Sequence, residues 1–334
     1  MSGAPERVRV ALLGCGAWGS NILRVLAESR RADVRAVADP LPQSRMRAAA
    51  LAPGALLVDS LDEALATGVD AVLVATPAHT HAALVLAALD AGVDVFVEKP
   101  LALGMLDAER CAARAAASGR IGMVGHLLRY HPAVVRLLDL CASGALGELL
   151  RFEAARLSVG GDRSAHCLWT LGPHDLSVLH ALDPSPIAGL TASSPPGGDL
   201  CRVSLDLTSG LGASIELSRA HPSKERKITV IGTRGAAVFD DVRAPDRVLL
   251  GAVRGTHGES AFEPGAASPV PWAEPLALEI AHFFDCITTR RAPLTSFDTA
   301  VPIVRALCRA EEAASAPLGH ARLVEGEARL TGSG

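Results

Sequence analysis

Lys99 is a residue whose type and position suit acid–base chemistry. It follows the apolar run 94–97, with Glu98 before it and Pro100 after it. A lysine that closes a buried strand projects into the crevice where open α/β sheets bind their ligands. Its ammonium can lose a proton when it is partly buried, whereas an arginine guanidinium cannot. Lys99 is therefore predicted to exchange a hydrogen bond or a proton with a bound hydroxyl. An ion pair with Glu98 on the surface is the structural alternative.

A glycine pattern near the start of the chain is typical of a dinucleotide site. The apolar run 9–13 leads into Gly14, Gly16 and Gly19, and an apolar-periodic segment, 20–28, follows. The first glycine permits a tight turn, the second lets the backbone approach a pyrophosphate, and the third allows the helix to pack on the strand. The helix N-terminus would offer free N–H groups to the phosphates. Cofactor contacts are expected from Gly14, Gly16, Ala17, Trp18 and Gly19.

A carboxylate follows the second apolar run. Asp39 comes directly after the run 34–38 and lies 20 residues beyond Gly19. Its oxygens can accept hydrogen bonds from the adenosine ribose and would repel a 2′-phosphate, which predicts NAD as the cofactor. Arg45 and Arg47 are near in sequence, so NADP stays open as the less favoured alternative.

Polar residues also follow the later apolar runs. Thr76 and Pro77 end the run 69–76 with His81 just beyond, and His126 follows the run 121–125. Apolar strands and helical segments alternate six times within the first 125 residues. This predicts an α/β Rossmann domain, a doubly wound parallel sheet that binds ligands at the carboxyl ends of its strands. Thr76, Pro77 and His81 are expected to contact the cofactor, although helix capping would also explain Thr76 and a surface position would explain His81.

The second half has a different pattern. Its strand-like runs alternate apolar and polar residues in several places, which predicts an α+β domain on a mostly antiparallel open sheet with one covered face. We place an NAD-binding domain at 1–126 and a substrate-binding and oligomerisation domain at 127–334. The segment 251–271 is rich in Gly, Pro and Ser and predicts a loop, and two helices are predicted over 276–288 and 299–314.

Composition argues against several other classes of protein. The 334 residues favour two domains, and the 49% share of hydrophobic residues allows sizeable cores without any run of 18 apolar residues. The absence of an apolar signal region predicts a cytoplasmic protein. Seven cysteines without a C-x-x-C pair predict reduced thiols and no metal site. A net charge of -4 without basic clusters argues against nucleic-acid and membrane partners.

Three motifs occur together in this chain: the glycine turn 14–19, the segment 91–100 (AGVDVFVEKP) and the segment 172–175 (GPHD). As a set they resemble the Gfo/Idh/MocA family of glucose-fructose oxidoreductases, inositol dehydrogenases and their relatives. The segment 91–100 is the most specific of the three, and the likeness extends over almost the whole chain. The segments 125–132 and 167–175 are similar to a branch associated with sugar-nucleotide and aminocyclitol tailoring.

The resemblance implies roles for particular residues. Lys99 would lie beside the nicotinamide and the carbon that is oxidised, Glu98 would join the cofactor site, and His174 would accept the hydroxyl proton. Many relatives carry an aspartate four residues before this histidine, where the chain has Thr170. The family's lysine–aspartate–histidine arrangement is therefore incomplete here. The structural alternative for His174 is a helix start in which it forms a capping pair with Asp175.

The resemblance also implies the activity. It predicts an NAD-dependent dehydrogenase that reversibly oxidises a secondary hydroxyl of a sugar or cyclitol ring. A sugar nucleotide, an amino sugar or an aminocyclitol/aminoglycoside is preferred over a free hexose, which would fit antibiotic biosynthesis. The family forms dimers or tetramers, and the bare face of the C-terminal sheet is the expected interface.

The candidate substrate contacts are Lys99, His126, Arg129, Tyr130, Arg156, Trp169, Thr170 and His174. An anionic sugar nucleotide would favour the arginines, and Trp169 would stack on a pyranose ring or, equally, anchor the core. Two other classes stay open: a lyase or hydrolase that uses tightly bound NAD without net oxidation, and a non-catalytic NAD(H)-binding regulator.

Overall fold

The computed structural model describes residues 7–161, 165–256 and 259–315, and the described chain divides into two units. The first unit is built on a six-stranded parallel sheet. Its strands are β1 (Val8–Leu13), β2 (Ala32–Ala38), β3 (Leu56–Val58), β4 (Ala71–Val74), β5 (Asp94–Glu98) and β6 (Gly122–Gly125). Their order is β3-β2-β1-β4-β5-β6, so the direction of winding reverses between β1 and β4. The predicted Rossmann sheet is confirmed.

Five helices connect these strands: α1 (Ala17–Glu28), α2 (Pro42–Leu51), α3 (Leu61–Leu65), α4 (His81–Asp90) and α5 (Met105–Ser118). Helix α1 buries Ile22, Leu23 and Leu26, which recur at helical spacing and pack on the sheet. Helix α5 ends at Gly119, whose φ of 63° is the left-handed conformation that closes many helices. These short connections bring the carboxyl ends of all six strands to one edge of the sheet.

Helix α8 (Pro275–Thr289) belongs to the first unit, which comprises the described residues up to Pro132 together with Trp272–Arg305. Its buried residues include Leu276, Ile280 and Phe283, and these pack in the same core as Val10 and Phe96. The sequence prediction instead assigned everything beyond residue 126 to a second domain. The apolar face of α8 covers the parallel sheet, so the chain returns to its first unit.

The second unit is built on an eight-stranded sheet in the order β14-β13-β12-β11-β7-β10-β9-β8. The strands are β7 (Leu149–Val159), β8 (Ile187–Ser193), β9 (Leu200–Leu207), β10 (Gly212–Ser218), β11 (Ala220–Gly232), β12 (Gly235–Asp240), β13 (Ala244–Thr256) and β14 (Glu259–Pro269). Only β10 and β7 pair in parallel among the pairs of this sheet in the described residues. The predicted mostly antiparallel sheet is confirmed.

The second unit has helices α6 (Pro132–Ala142) and α7 (Cys167–Leu182), and α9 (Phe297–Ser315) completes the chain's helices in the described region. Helix α7 buries Leu176, Val178 and Leu179. Every helix in the described residues is too short or too polar to cross a lipid bilayer. All seven cysteines are free thiols.

The loop predicted over residues 251–271 is wrong. This segment contains the end of β13 and all of β14, which pair in an antiparallel register that matches Val248 with Ser268. Its content of glycine and proline suggested a loop, yet Pro264 and Pro269 lie in β14, the last strand at this end of the sheet. A proline there removes no hydrogen bond from the interior of the sheet, because its nitrogen can face away from the neighbouring strand.

Candidate active site

The glycine turn has the shape that a pyrophosphate requires. Gly14 has a φ of 85°, and a Cβ on it would lie 2.7 Å from the carbonyl oxygen of Ala75. A Cβ on Gly19 would overlap the carbonyl oxygen of Gly14, whereas a Cβ on Gly16 would meet no atom within 4 Å. The turn is therefore closed on its inner side and open at Gly16, directly before helix α1 begins at Ala17. These residues fit the phosphates of a dinucleotide.

Asp39 lies at the carboxyl end of β2 and organises the neighbouring backbone. Its Oδ2 accepts the N–H of Cys15 at 2.8 Å, and its Oδ1 accepts the N–H of Leu41 at 2.9 Å. The carboxylate thus ties the strand end to the glycine turn, and its oxygens have lone pairs left for further donors.

The arginines near Asp39 are committed to acceptors within the chain. Arg45 donates to the carbonyl oxygen of Asp39 at 2.6 Å and pairs with Asp59 at 2.5 Å. Arg47 donates to the carbonyl oxygen of Cys15 at 3.1 Å and to Ser44 at 3.0 Å. Neither guanidinium is held ready for a 2′-phosphate, so this arrangement favours NAD.

Asp39→Asn tests the ribose contact. The amide keeps the shape of the side chain but replaces one acceptor oxygen with an N–H donor, so we expect NAD binding to weaken by about 1–3 kcal/mol. Calorimetric titration with NAD and with NADP measures both affinities. Asp59→Asn is the matched control and should leave the NAD affinity unchanged. An unaltered NAD affinity in Asp39→Asn would remove Asp39 from the cofactor site.

Glu98 and Lys99 stand at the carboxyl end of β5. The Glu98 side chain is buried, and its carboxylate accepts the indole N–H of Trp18 and, at 3.3 Å, the backbone N–H of Lys99. Burial raises the pKa of Glu98 to about 7, while the Lys99 ammonium and the Trp18 N–H act in the opposite direction. Because Glu98 is buried, the alternative of an exposed Glu98–Lys99 ion pair does not describe this site. Lys99 is joined to Pro100 by a cis peptide bond.

His81 joins two of the strand-end loops. Its ring is buried, with Nδ1 2.7 Å from the carbonyl oxygen of Pro100 and Nε2 2.9 Å from that of Thr76. The hydroxyl of Thr76 lies 2.6 Å from that of Thr80. A backbone carbonyl oxygen thus lies beside each ring nitrogen. His81 therefore holds the loop after β4 against the loop after Lys99.

The residues after β6 lie at the same edge of the sheet but differ in exposure. His126 and Tyr130 are buried, and the Tyr130 hydroxyl lies 3.1 Å from that of Thr295. Arg129 is partly buried, which lowers the pKa of its guanidinium. The buried ring of His131 meets the exposed Trp272 edge-on at 5.7 Å. Tyr130 is therefore a core residue beneath the edge, with Arg129 nearer to solvent.

Thr170 and His174 lie on helix α7 in the second unit, one turn apart and on the same face. The helix starts at Cys167, where the Nδ1 of His166 accepts the N–H of Leu168 at 3.1 Å. The alternative that His174 caps a helix start is wrong, because Pro173 and His174 lie well inside α7. The Thr170 hydroxyl points back to the carbonyl oxygen of Cys167 at 3.4 Å.

Two other predicted contacts in the second unit have partners in the protein. Arg156 on β7 binds Asp175 on α7 through two hydrogen bonds of 3.0 and 2.8 Å, and both residues are buried. Trp169 is buried and donates its indole N–H to Glu311 at 2.8 Å. The Arg156–Asp175 pair fixes α7 on the sheet directly beside His174.

Arg219 and Glu279 are buried charged residues that were not predicted from the sequence. Arg219 follows β10 and donates to the carbonyl oxygens of Ala165 at 2.7 Å and Gly198 at 3.1 Å, which holds the segment that precedes α7. No pattern in the sequence distinguishes it from a solvated arginine. Glu279 lies on α8 and is completely buried. The sequence could have indicated this burial, because Glu279 falls between Leu276 and Ile280 in the apolar stripe of that helix.

In the described parts of the chain, no group of three or more His, Cys, Asp or Glu residues is arranged to hold a metal ion. The comparisons with known proteins agree with the glycine turn and the parallel sheet. Residues 8–126 match the GFO_IDH_MocA family, described as an oxidoreductase family with an NAD-binding Rossmann fold.

Two curated relatives are inositol dehydrogenases. The chain is 38% identical over 181 residues to inositol 2-dehydrogenase 1 of Saccharopolyspora erythraea, an alignment that covers 53% of this chain and only about half, 52%, of that protein. It is 30% identical over 264 residues to inositol 2-dehydrogenase of Streptomyces avermitilis, covering 70% of this chain and 77% of the relative.

A solved structure extends the likeness to the whole chain. GenD2 from gentamicin A biosynthesis, crystallised in complex with NAD, is 27% identical with a TM-score of 0.82. The superposition covers 98% of this chain and 98% of GenD2. Both units of the chain therefore have counterparts in a protein that binds NAD.

Proposed function

Because the chain belongs to the Gfo/Idh/MocA family of NAD-binding oxidoreductases that act on CH–OH groups, we propose that it oxidises one secondary hydroxyl of a sugar or cyclitol ring, reversibly. Bound NAD supplies the acceptor for the hydride that leaves the carbinol carbon. The hydroxyl proton must leave in the same reaction, and the chain's own residues handle that proton.

We assign the cofactor to the carboxyl edge of the parallel sheet. Gly14, Gly16 and Gly19 with the start of α1 would hold the pyrophosphate, and Asp39 would hold the adenosine ribose. Thr76, Pro77 and Glu98 would line the path towards the nicotinamide, with His81 fixing the two loops from beneath. The support for this assignment is the open space above Gly16 and the position of Asp39 at the end of β2.

Lys99 and His174 are the proposed catalytic residues. Lys99 would donate a hydrogen bond to the reacting hydroxyl and stabilise the oxygen as negative charge develops on it. His174 would accept the proton, because an imidazole has an ordinary pKa of about 6.5 and can act as a base near neutral pH. Thr170, one turn earlier on α7, would contact the substrate in place of the family's aspartate. The remaining candidates for substrate contact are His126 and Arg129.

The position of Lys99 carries this proposal. It is the only lysine in the first 223 residues and follows directly after β5, at the edge that also carries the glycine turn and Asp39. A cation at the reacting hydroxyl can stabilise the negative charge that develops on its oxygen during the oxidation.

For the substrate we propose an amino sugar, an aminocyclitol or aminoglycoside, or a sugar nucleotide. The supporting observations are the inositol dehydrogenases among the relatives and the 27% identity to GenD2 from gentamicin A biosynthesis. We further propose that the protein is cytoplasmic and forms a homodimer or homotetramer through the eight-stranded sheet. Light scattering of the purified protein would test the number of subunits.

Absorbance at the NADH band tests the activity. Purified protein with NAD is offered cyclitols, amino sugars, aminoglycosides and UDP-sugars in turn, and we expect NADH to accumulate with one of these classes. His174→Gln should abolish the signal, while His180→Gln on the same helix should retain it. If no compound produced NADH although the protein still bound NAD, the result would contradict the dehydrogenase and favour a redox-neutral enzyme or a regulator.

A further inference from the structure

Two buried carboxyl groups, those of Glu98 and Glu279, lie in the first unit. The ring of Phe96 on β5 lies 5.8 Å from the ring of Phe283 on α8. Glu98 is two residues beyond Phe96 and shares its face of the strand, whereas Glu279 is one turn before Phe283 and shares its face of the helix. The Phe96–Phe283 contact places both carboxyls in one core, near enough for the charge of Glu98 to act on Glu279.

The surrounding side chains and backbone shield both carboxyl groups from solvent. The exposed fraction of Glu98 is 7% and that of Glu279 is 0%. The Glu98 carboxyl lies against Gly125 on β6, where a Cβ would come within 3.1 Å of one of its oxygens. Two adjacent negative charges at such a place are strongly unfavourable, so one of the two carboxyls keeps a proton.

The hydrogen bonds identify which carboxyl keeps it. Glu98 accepts from the Trp18 indole and from the backbone N–H of Lys99, and the Lys99 ammonium lies next to it in the chain. Neither oxygen of Glu279 has a hydrogen-bond partner among the residues that the structure describes. Negative charge is stabilised on Glu98 and not on Glu279, so Glu98 ionises first and Glu279 is the neutral acid.

The electrostatics of the surrounding groups agree with this order. Burial, and then the charge of Glu98, raise the pKa of Glu279 well above its usual range. Burial, and to a smaller extent the charge of Glu279, raise the pKa of the Tyr130 phenol. Arg129, His282 and Cys286 are further titratable groups near this pair, Arg129 next to Tyr130 and the other two on α8. The remaining acids on these two elements have partners elsewhere: Asp285 on α8 pairs with Arg31, and Asp94 on β5 pairs with Arg290. The Lys99 ammonium acts on Glu98 and favours its ionised form.

We propose that Glu98 and Glu279 form a proton-binding pair beneath the nicotinamide end of the cofactor site, and that its protonation state sets the preference between NAD⁺ and NADH. The inference rests on the proposed placement of the nicotinamide beside Lys99. The oxidised ring carries a positive charge and the reduced ring does not, so each carboxylate that forms favours the oxidised cofactor. Binding of NAD⁺ in mildly acidic solution then releases the proton of Glu98.

The ratio of the NADH and NAD⁺ dissociation constants, measured against pH without any sugar, tests the pair. In the wild-type protein we expect NAD⁺ to gain about tenfold over NADH as pH rises through 7, followed by a second gain in alkaline solution. Glu98→Gln should remove the first step and move the second to lower pH, because Glu279 then ionises without a charged neighbour. Glu279→Gln should keep the first step and lose the second.

Matched controls separate this effect from a general loss of structure. Glu274→Gln alters an exposed carboxylate at the start of the same helix, paired with Arg24, and should leave both steps in place. The infrared carbonyl band of a protonated carboxylic acid, recorded in slightly alkaline solution without cofactor, should be present in the wild type and weaker in Glu279→Gln.

Proton release on cofactor binding can be measured with the wild-type protein alone. It therefore tests the pair even if Glu279→Gln does not fold. In weakly buffered solution near pH 6, wild-type protein should release up to about one proton on binding NAD⁺ and none on binding NADH. Equal release with both cofactors, or a dissociation-constant ratio that does not change with pH, would overturn the proton pair and leave the proposed dehydrogenase intact. Failure to bind either cofactor would overturn both.

Discussion

Lys99→Met should reduce turnover by about 10³-fold while NAD binds within several-fold of its wild-type affinity. Methionine keeps the length and apolar character of the lysine stem but removes the ammonium that we place at the reacting hydroxyl. The cofactor contacts proposed for the glycine turn and Asp39 do not involve this ammonium. Initial rates of NADH formation and calorimetric NAD titration measure the two quantities separately.

Lys224→Met is the matched control for Lys99→Met. Lys224 is exposed on β11, and only three lysines occur in the chain. We expect its replacement to leave turnover unchanged. Near wild-type turnover in Lys99→Met, with the control behaving as expected, would show that Lys99 has no part in the chemistry.

Arg156→Met should lower the free energy of unfolding of the second unit by about 3–5 kcal/mol. The substitution leaves Asp175, which has no exposed surface, as a buried carboxylate without its two guanidinium hydrogen bonds. Replacing both partners, as in Arg156→Met with Asp175→Leu, should recover much of the loss because no unpaired charge stays buried. Urea unfolding followed by circular dichroism measures all three proteins.

The exposed pair Arg202–Glu216 on the same sheet is the control for this experiment. Its atoms are 2.7 Å apart, but the arginine side chain is 62% exposed, so Arg202→Met should cost less than about 1 kcal/mol. If Arg156→Met were as mild as Arg202→Met, the buried pair would not be what fixes α7 on the sheet.

The parallel sheet and its ligand edge could be predicted because their signals are local. Each strand is a short apolar run, and a polar residue such as Asp39 or Lys99 follows it directly in the sequence. The left-handed glycine at 14 is likewise a property of its own turn. Such features depend on residues that are adjacent in the chain, so they can be predicted directly from the sequence.

The features that escaped prediction depend on residues far apart in the chain. Arg156 and Asp175 look like two solvated charges until β7 and α7 pack together. The sequence of helix α8 is compatible with either unit, because an apolar stripe does not indicate which sheet the helix covers. Strand β14 was hidden by its prolines, since edge position is a property of the complete sheet.

The same prolines have a consequence for the behaviour of the protein at high concentration. An uncovered edge strand offers a row of backbone groups onto which a foreign strand can add, which is a common start of aggregation. Pro264 and Pro269 each remove one N–H from β14, so an incoming strand would find an interrupted template at this end of the sheet. We therefore expect the segment that resembles a loop in composition to resist the addition of a foreign strand at this end of the sheet.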